Sequence, residues 1–316
     1  MKKLLSAALL FCAFGTAFAQ YPNKSIRLVV GFPPGGSADP TARIIGAALA
    51  DQLGQPVVVE NRPGADSAVA ALQVTQMPAD GYNLFFGSNS GMTAAVALKK
   101  EPTYDPLTQF TQISLIGRAT VIMYSHPGVP AKDLKEFIAY AKANPGKLAY
   151  GTGNALSILY NVQLMNSTGI DMLHVPYKGE GPVLPDLLTG RVHSSFLSTA
   201  TAMQNAKDGK FRALAVLLEK RSPLMPDVPT IAEAGAPGVT VRQWAGLFGP
   251  AKMPREIVAR LNKEVAAALA KPSVQEQLLR YGYSPEASTP ERLLEINRED
   301  LALWRRLIVE AKLPLE

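Results

Sequence analysis

Short apolar runs alternate with helix-spaced apolar positions through most of the chain after residue 20, which is the signature of βαβ units. The first unit shows the grammar. Ile26 to Phe32 is rich in strand formers, Pro33-Pro34-Gly35-Gly36 turns the chain, and Ile45, Leu49 and Leu53 then fall at i, i+4 and i+8 on one helix face. Asp39 before Pro40 predicts an N-cap followed by proline at the first helical position. Val57 to Glu60 and Leu84 to Phe86 predict two more strands. The grammar repeats in a strand over Val121 to Tyr124, a helix through Leu134, Phe137, Ile138 and Ala141, and a strand near Leu148 to Tyr150. Further strands are expected near Leu173 to Pro176, Ser194 to Leu197 and Ala213 to Leu217, and Val239 to Phe248 is strand-like. Helices carrying Ile257, Leu261, Val265 and Leu269, and then running from about Pro290 to Ala311, close the chain.

These terminal helices have no sheet of their own to cover, so the chain is expected to cross into a second lobe near residue 120 and return near 243. The expected architecture is a two-lobed α/β protein with mainly parallel sheets. One lobe takes residues 20–120 plus 243–316 and the other residues 121–242, joined by a hinge of two crossings.

The N-terminus changes where this fold is placed. Met1-Lys2-Lys3, the apolar run Leu4 to Phe14 and Ala17-Phe18-Ala19 read as a secretory signal peptide over residues 1–19, cleaved after Ala19, which predicts a periplasmic protein. The run is too short to span a bilayer as a stable helix. The only cysteine, Cys12, lies inside that leader behind bulky Leu10 and Phe11, so neither a lipid anchor nor a disulfide is expected. Stability must come from a core, and 316 residues with 47% hydrophobic content supply one, at a length that favours two domains. The formal charge of +6 falls to +4 without Lys2 and Lys3. Such an excess steers anionic solutes. Basic residues are interleaved with acids, as in Arg255-Glu256 and Arg298-Glu299-Asp300, so no nucleic-acid partner is expected.

The Phe32 to Asp39 loop, with Gly35, Gly36 and Ser37, lies between a strand and a helix start, where free backbone N–H groups and the positive end of a helix dipole bind anions. It also reads as a plain tight connection with Asp39 only capping. It is neither G-x-G-x-x-G nor G-x-x-x-x-G-K. A second small polar loop, Tyr150 to Ser157 with Thr152, falls in the other lobe, so two helix N-termini could face one anion across a cleft. Tyr177, in His174 to Gly179, offers a ring and a hydroxyl, or else packs as core. Ser88 and Asn89 follow the third strand, where open α/β sheets place ligands. Trp244 lines the cleft or fills interlobe core. His126, His174 and His193 lack metal-site spacing and no G-x-S-x-G elbow is present, so neither a catalytic residue nor a metal is expected.

The ordered set of motifs resembles the Bug (TctC-like) family, extracytoplasmic substrate-binding proteins of tripartite tricarboxylate transporters. The resemblance is carried by Tyr21 to Val30, the Phe32 to Asp39 loop, Val58 to Ala65, Asp80-Gly81-Tyr82 and Tyr104-Asp105-Pro106, followed by Ala143 to Leu148, His174 to Gly179, Pro226 to Thr230 and Ala232 to Gly235. It implies a type II periplasmic-binding-protein fold and no cofactor. It implies a small carboxylate, dicarboxylate, aromatic acid or amino acid held near the Phe32 to Asp39 loop, with the loops near Thr152 to Ser157 and Tyr177 to Gly179 closing over it. The expected partners are that ligand and the membrane subunits of the transporter, with the protein itself a monomer. Asn154 and Leu156 stand where the family pattern has glycines, Tyr160 where it has histidine, Asp66 and Ser67 where it has Gly-Gly, and His193 where Asp is common. Leu156 is expected to narrow the pocket or redirect its loop, because glycine's positive φ is lost. An exported sensor that signals to a membrane partner, and an exported α/β hydrolase using Ser88 or Ser157, are the alternatives.

Overall fold

Strand β1 (Ile26–Val30) is apolar at every position but Arg27. Leu28 and Val30 face one core and Val29 the other, the period-two alternation of a strand covered on both sides. It pairs in parallel with β2 (Val57–Asn61), Ile26 opposite Val57, and with β3 (Asn83–Ser88), Arg27 opposite Asn83. With β4 (Phe110–Ala119), β10 (Trp244–Pro250) and β11 (Tyr283–Pro285) the order is β11-β4-β10-β3-β1-β2. A second sheet has the order β7-β6-β8-β5-β9, built from β5 (Val121–Ser125), β6 (Ala149–Thr152), β7 (Leu173–Pro176), β8 (Ser194–Ser198) and β9 (Arg212–Val216). The computed structural model describes residues 21–34, 38–177, 179–310 and 315. The expected leader therefore lies outside the described residues, as do Gly35, Gly36, Ser37 and Lys178.

The two-lobed α/β architecture is present, but the sheets are mixed rather than mainly parallel. β10 runs antiparallel to β3 and β4, β11 to β4, and β5 to β8 and β9, whereas β6 is parallel to β7 and β8. The reason is the path between sheets. β4 ends, and β10 begins, at the edge where β3 ends, so a chain returning there must run against β3. β5 enters its own sheet from the same side, and β6 and β8, antiparallel to its direction, end facing it. The carboxyl ends of β3, β6 and β8 thereby meet across one gap.

Helix α1 (Ala38–Leu53) covers one face of the first sheet with Ile45, Leu49 and Leu53, joined there by α7 (Arg255–Leu269) and α8 (Pro272–Arg280). The other face takes α2 (Ala68–Thr75) and α9 (Pro290–Glu310). That core continues into the second lobe, where it includes residues of α3 (Leu134–Ala143) and α4 (Ala155–Thr168). α5 (Val183–Thr189) and α6 (Thr199–Lys207) cover the remaining face. No helix among the described residues is long and apolar enough to cross a membrane.

Asp39 is not the N-cap of α1, which begins at Ala38. It sits in the first turn, 7% exposed, with its carboxylate bound by Arg43 Nε at 3.1 Å and Asn61 Nδ2 at 2.9 Å. Asn61 also donates to the Phe32 carbonyl, so one side chain ties the first loop to its helix. The strand expected from Val239 starts only at Trp244, because Gln163 Oε1 accepts from the amides of Thr240 and Val241 and removes them from any ladder.

Ala65, Asp66 and Ser67 are consecutive non-glycine residues at φ 44°, 51° and 78°. An L-residue in that region costs roughly 1–2 kcal/mol, and Ser67 Oγ is buried with no partner among the described residues. Ser67→Gly is therefore expected to raise stability by about 1 kcal/mol, read as a higher urea midpoint at unchanged slope. A lower midpoint would mean that the serine supports the turn.

Candidate functional site

The gap between the strand ends is a cleft of about 510 Å³, within the range of small-ligand sites. Phe32, Pro33, Ala38, Asp66, Ser88 and Ser90 form its first-lobe wall, and Gly153, Asn154, Gly179, Glu180, Ser198, Ala200 and Thr201 the opposite one. Ala119, Thr120, Gln243 and Tyr281 to Tyr283 lie at its base, beside the chain crossings. There Ala119 N donates to Gln243 O and Thr120 N to Gly282 O within the first lobe, and Thr199 N donates to Thr120 O across to the second.

On the first-lobe side, Phe32 and Ser88 from the sequence reading reach the cleft. Ser88 is 3% and Thr120 0% exposed, and the hydroxyls of both lack a hydrogen-bond partner among the described residues. Both residues line the cleft. Asn89 lies behind the wall: fully buried, its Nδ2 donates to Arg242 O at 2.9 Å, pinning the end of β3 to the return crossing. Asp39 likewise faces Arg43 and Asn61 rather than the cleft.

On the second-lobe side, the sequence-predicted residues support the wall more than they form it. Asn154 caps α4, accepting from Ser157 N at 2.9 Å, while Ser157 Oγ accepts from Asn154 N and donates to Asn154 O. Ser157 is therefore spent on a reciprocal cap. Thr152 is buried against His174, Oγ1 to Nε2 2.6 Å, with the imidazole stacked on Tyr150. Tyr177 donates to Asp186 at 2.6 Å and does not line the cleft; burial and that bond push its hydroxyl up to about 12. Leu156 neither narrows the pocket nor redirects the loop. It is 4% exposed in the core, and neither it nor Asn154 has a positive φ, so glycine is not required at either position. Gly153 is required, for another reason: a Cβ there would lie 2.5 Å from Glu180 N and Gly179 C.

Glu180 is the cleft residue that sequence reasoning missed. Its Oε2 accepts from Ser198 N at 3.1 Å, Ser198 Oγ at 2.7 Å and Thr201 Oγ1 at 2.8 Å, at the start of α6. Burial first, and its negative charge second, push the hydroxyls of Tyr124 and Tyr160 well above the usual phenol range. The only local signal was a carboxylate flanked by Gly179 and Gly181 shortly after a strand. Asp66, Tyr281 and Gln243 also line the cleft without having been singled out as site residues.

The histidines serve local backbone and side-chain contacts. His126 Nδ1 accepts from Gly128 N, His193 Nδ1 from Ala149 N, and desolvation lowers the pKa of both His174 and His193, favouring the neutral ring. Ser157, engaged with Asn154, is not activated by any of them. Among the described residues no group of three or more His, Cys, Asp or Glu could hold a metal ion.

Comparison with known proteins adds to this geometry. Residues 41–313 match the family described as tripartite tricarboxylate transporter family receptor. The chain is 32% identical over 295 residues to protein BugT of Bordetella pertussis, covering 92% of this chain and 90% of that one. It is similar to the structure titled R. palustris Rpa4515 with adipate, at TM-score 0.79 and 33% identity over 92% of this chain and 98% of the other. It is also similar to MatC from Rhodopseudomonas palustris with bound malate, at TM-score 0.73 and 33% identity over 91% of this chain and all of the other.

Proposed function

The chain belongs to the tripartite tricarboxylate transporter receptor family, and from that premise we propose that it captures a small organic anion between its lobes for delivery to a membrane transporter of that type. The observation that carries this reading is the cleft itself, where strand ends and helix starts of both lobes face each other and Ser88 and Thr120 hold unpartnered hydroxyls. The ligand carboxylate is assigned to the first-lobe side. There the Phe32 to Asp39 loop, with Gly35, Gly36 and Ser37, leads into α1, whose first-turn amides carry the positive end of the helix dipole. The bonds that Asp39 makes to Arg43 and Asn61 hold this start in place. Thr152, Ser157, Asn89 and Tyr177 act at one remove, by fixing the walls.

The lobes we assign are residues 20–120 plus 243–316 and residues 121–242, hinged at the crossings beside Thr120 and Gln243 and closing on the ligand as hinged domains do. In this reading the protein works as a monomer in the periplasm after losing residues 1–19. The relatives bound to adipate and malate support a carboxylate as the cargo. A thermal-shift screen of protein freed of carried-over ligand by unfolding and refolding tests it, using mono-, di- and tricarboxylates, aromatic acids and amino acids. A bound acid at about 100 times its Kd adds roughly 2.7 kcal/mol to the native state, a shift of several degrees. No shift with any acid would overturn the reading.

A further inference from the structure

We propose that Asp66 and Glu180 make this cleft selective for an acid that also carries a cationic nitrogen, and against di- and tricarboxylates that lack one; this rests on the solute-binding reading above. A second anionic group would have to bind at the helix starts on the second-lobe wall. Asn154 and Ser157 cap α4 between themselves. At α6 the position is filled by the protein's own carboxylate, because Glu180 Oε2 takes the Ser198 amide and the Ser198 and Thr201 hydroxyls. Three donors on one oxygen fix that carboxylate at the cleft wall, while its Oε1 has no hydrogen bond among the described residues. A second anion approaching here meets a fixed negative charge; an ammonium or guanidinium meets a placed acceptor.

Asp66 faces the same space from the first lobe. It has no hydrogen bond or ion pair among the described residues, and the left-handed run from Ala65 to Ser67 sets where its side chain emerges. None of the described residues lining the cleft is Lys, Arg or His. The buried, unpartnered hydroxyls of Ser88 and Thr120 mark the cleft as a built polar site. A zwitterion fits this layout, its carboxylate toward α1 and its nitrogen toward the two acidic side chains.

The test is calorimetric titration of the refolded protein with acids paired so that they differ only by an amine: aspartate and succinate, glutamate and glutarate, 4-aminobutyrate and butyrate. The amine-bearing member of at least one pair is expected to bind tenfold or more tightly than its twin. Glu180→Gln and Asp66→Asn should each shrink that ratio and strengthen the amine-free acid, with circular dichroism confirming that both variants fold. Equal or tighter binding of amine-free acids by the wild type would overturn the selectivity and leave the binding function standing. Failure of every acid in both sets would overturn the binding function as well.

Discussion

Trp244→Ala is expected to destabilise the protein by about 3–5 kcal/mol. The indole is fully buried where the chain returns to the first sheet, packs 6.2 Å from the Phe248 ring centroid, and donates from Nε1 to Asp300 Oδ2 at 2.5 Å. The same contact gives the protein a pH signature. Burial raises Asp300 from 3.8 to about 6, a shift that the Trp244 bond only partly offsets. A carboxyl whose folded pKa lies above its unfolded value favours the native state below the unfolded pKa, and that advantage is lost as pH rises through the folded one. Between pH 4 and 7 the wild type should therefore lose up to about 3 kcal/mol relative to Asp300→Asn, measured by urea unfolding at each pH. Parallel stability curves for the two proteins would show that Asp300 does not titrate in this way.

The largest effect on binding is expected at Gly153. Valine there drives its side chain into the backbone of Gly179 and Glu180, which cannot rotate aside as a flexible side chain would. Overpacking of this kind costs about 1–3 kcal/mol, so the second lobe should fold while the wall carrying Glu180 shifts. Calorimetry with the acid that most stabilises the wild type should show at least a hundredfold loss of affinity, with near-normal far-ultraviolet circular dichroism. Wild-type affinity in Gly153→Val would remove the second-lobe loop from the site.

Much of the fold is legible because strands and helices here bury continuous apolar faces. Leu84 to Phe86 are fully buried within β3, and Ile45, Leu49 and Leu53 all enter one core. Strand β4 was invisible because Gln112 and Ser114 break its apolar pattern; both are buried, Ser114 by exchanging hydrogen bonds with Ser288 more than 170 residues away. The strand directions depart from the expected parallel order because the crossings between the sheets, not the βαβ grammar, decide how β5 and β10 enter them. Phe32 and Ser88, expected from loop position, line the cleft, whereas other residues expected at the ligand or its pocket have side chains engaged within the protein. Ser157 caps, Tyr177 binds Asp186, and Leu156 is core. Glu180 was silent because its meaning lies in Ser198 and Thr201, brought to it only by the parallel pairing of β6 with β8 and the start of α6.

The central claim is that small acids bind in the cleft between the lobes, and hydrogen–deuterium exchange tests it most directly. Refolded protein would be compared with and without a saturating mixture of the screened acids. The account predicts slowed exchange in residues 31–39, 66–67, 88–91, 153–157, 179–181 and 198–201, the segments that form the two walls. Unchanged exchange there, or protection confined to the separate grooves at residues 102–109 and 218–223, would contradict it.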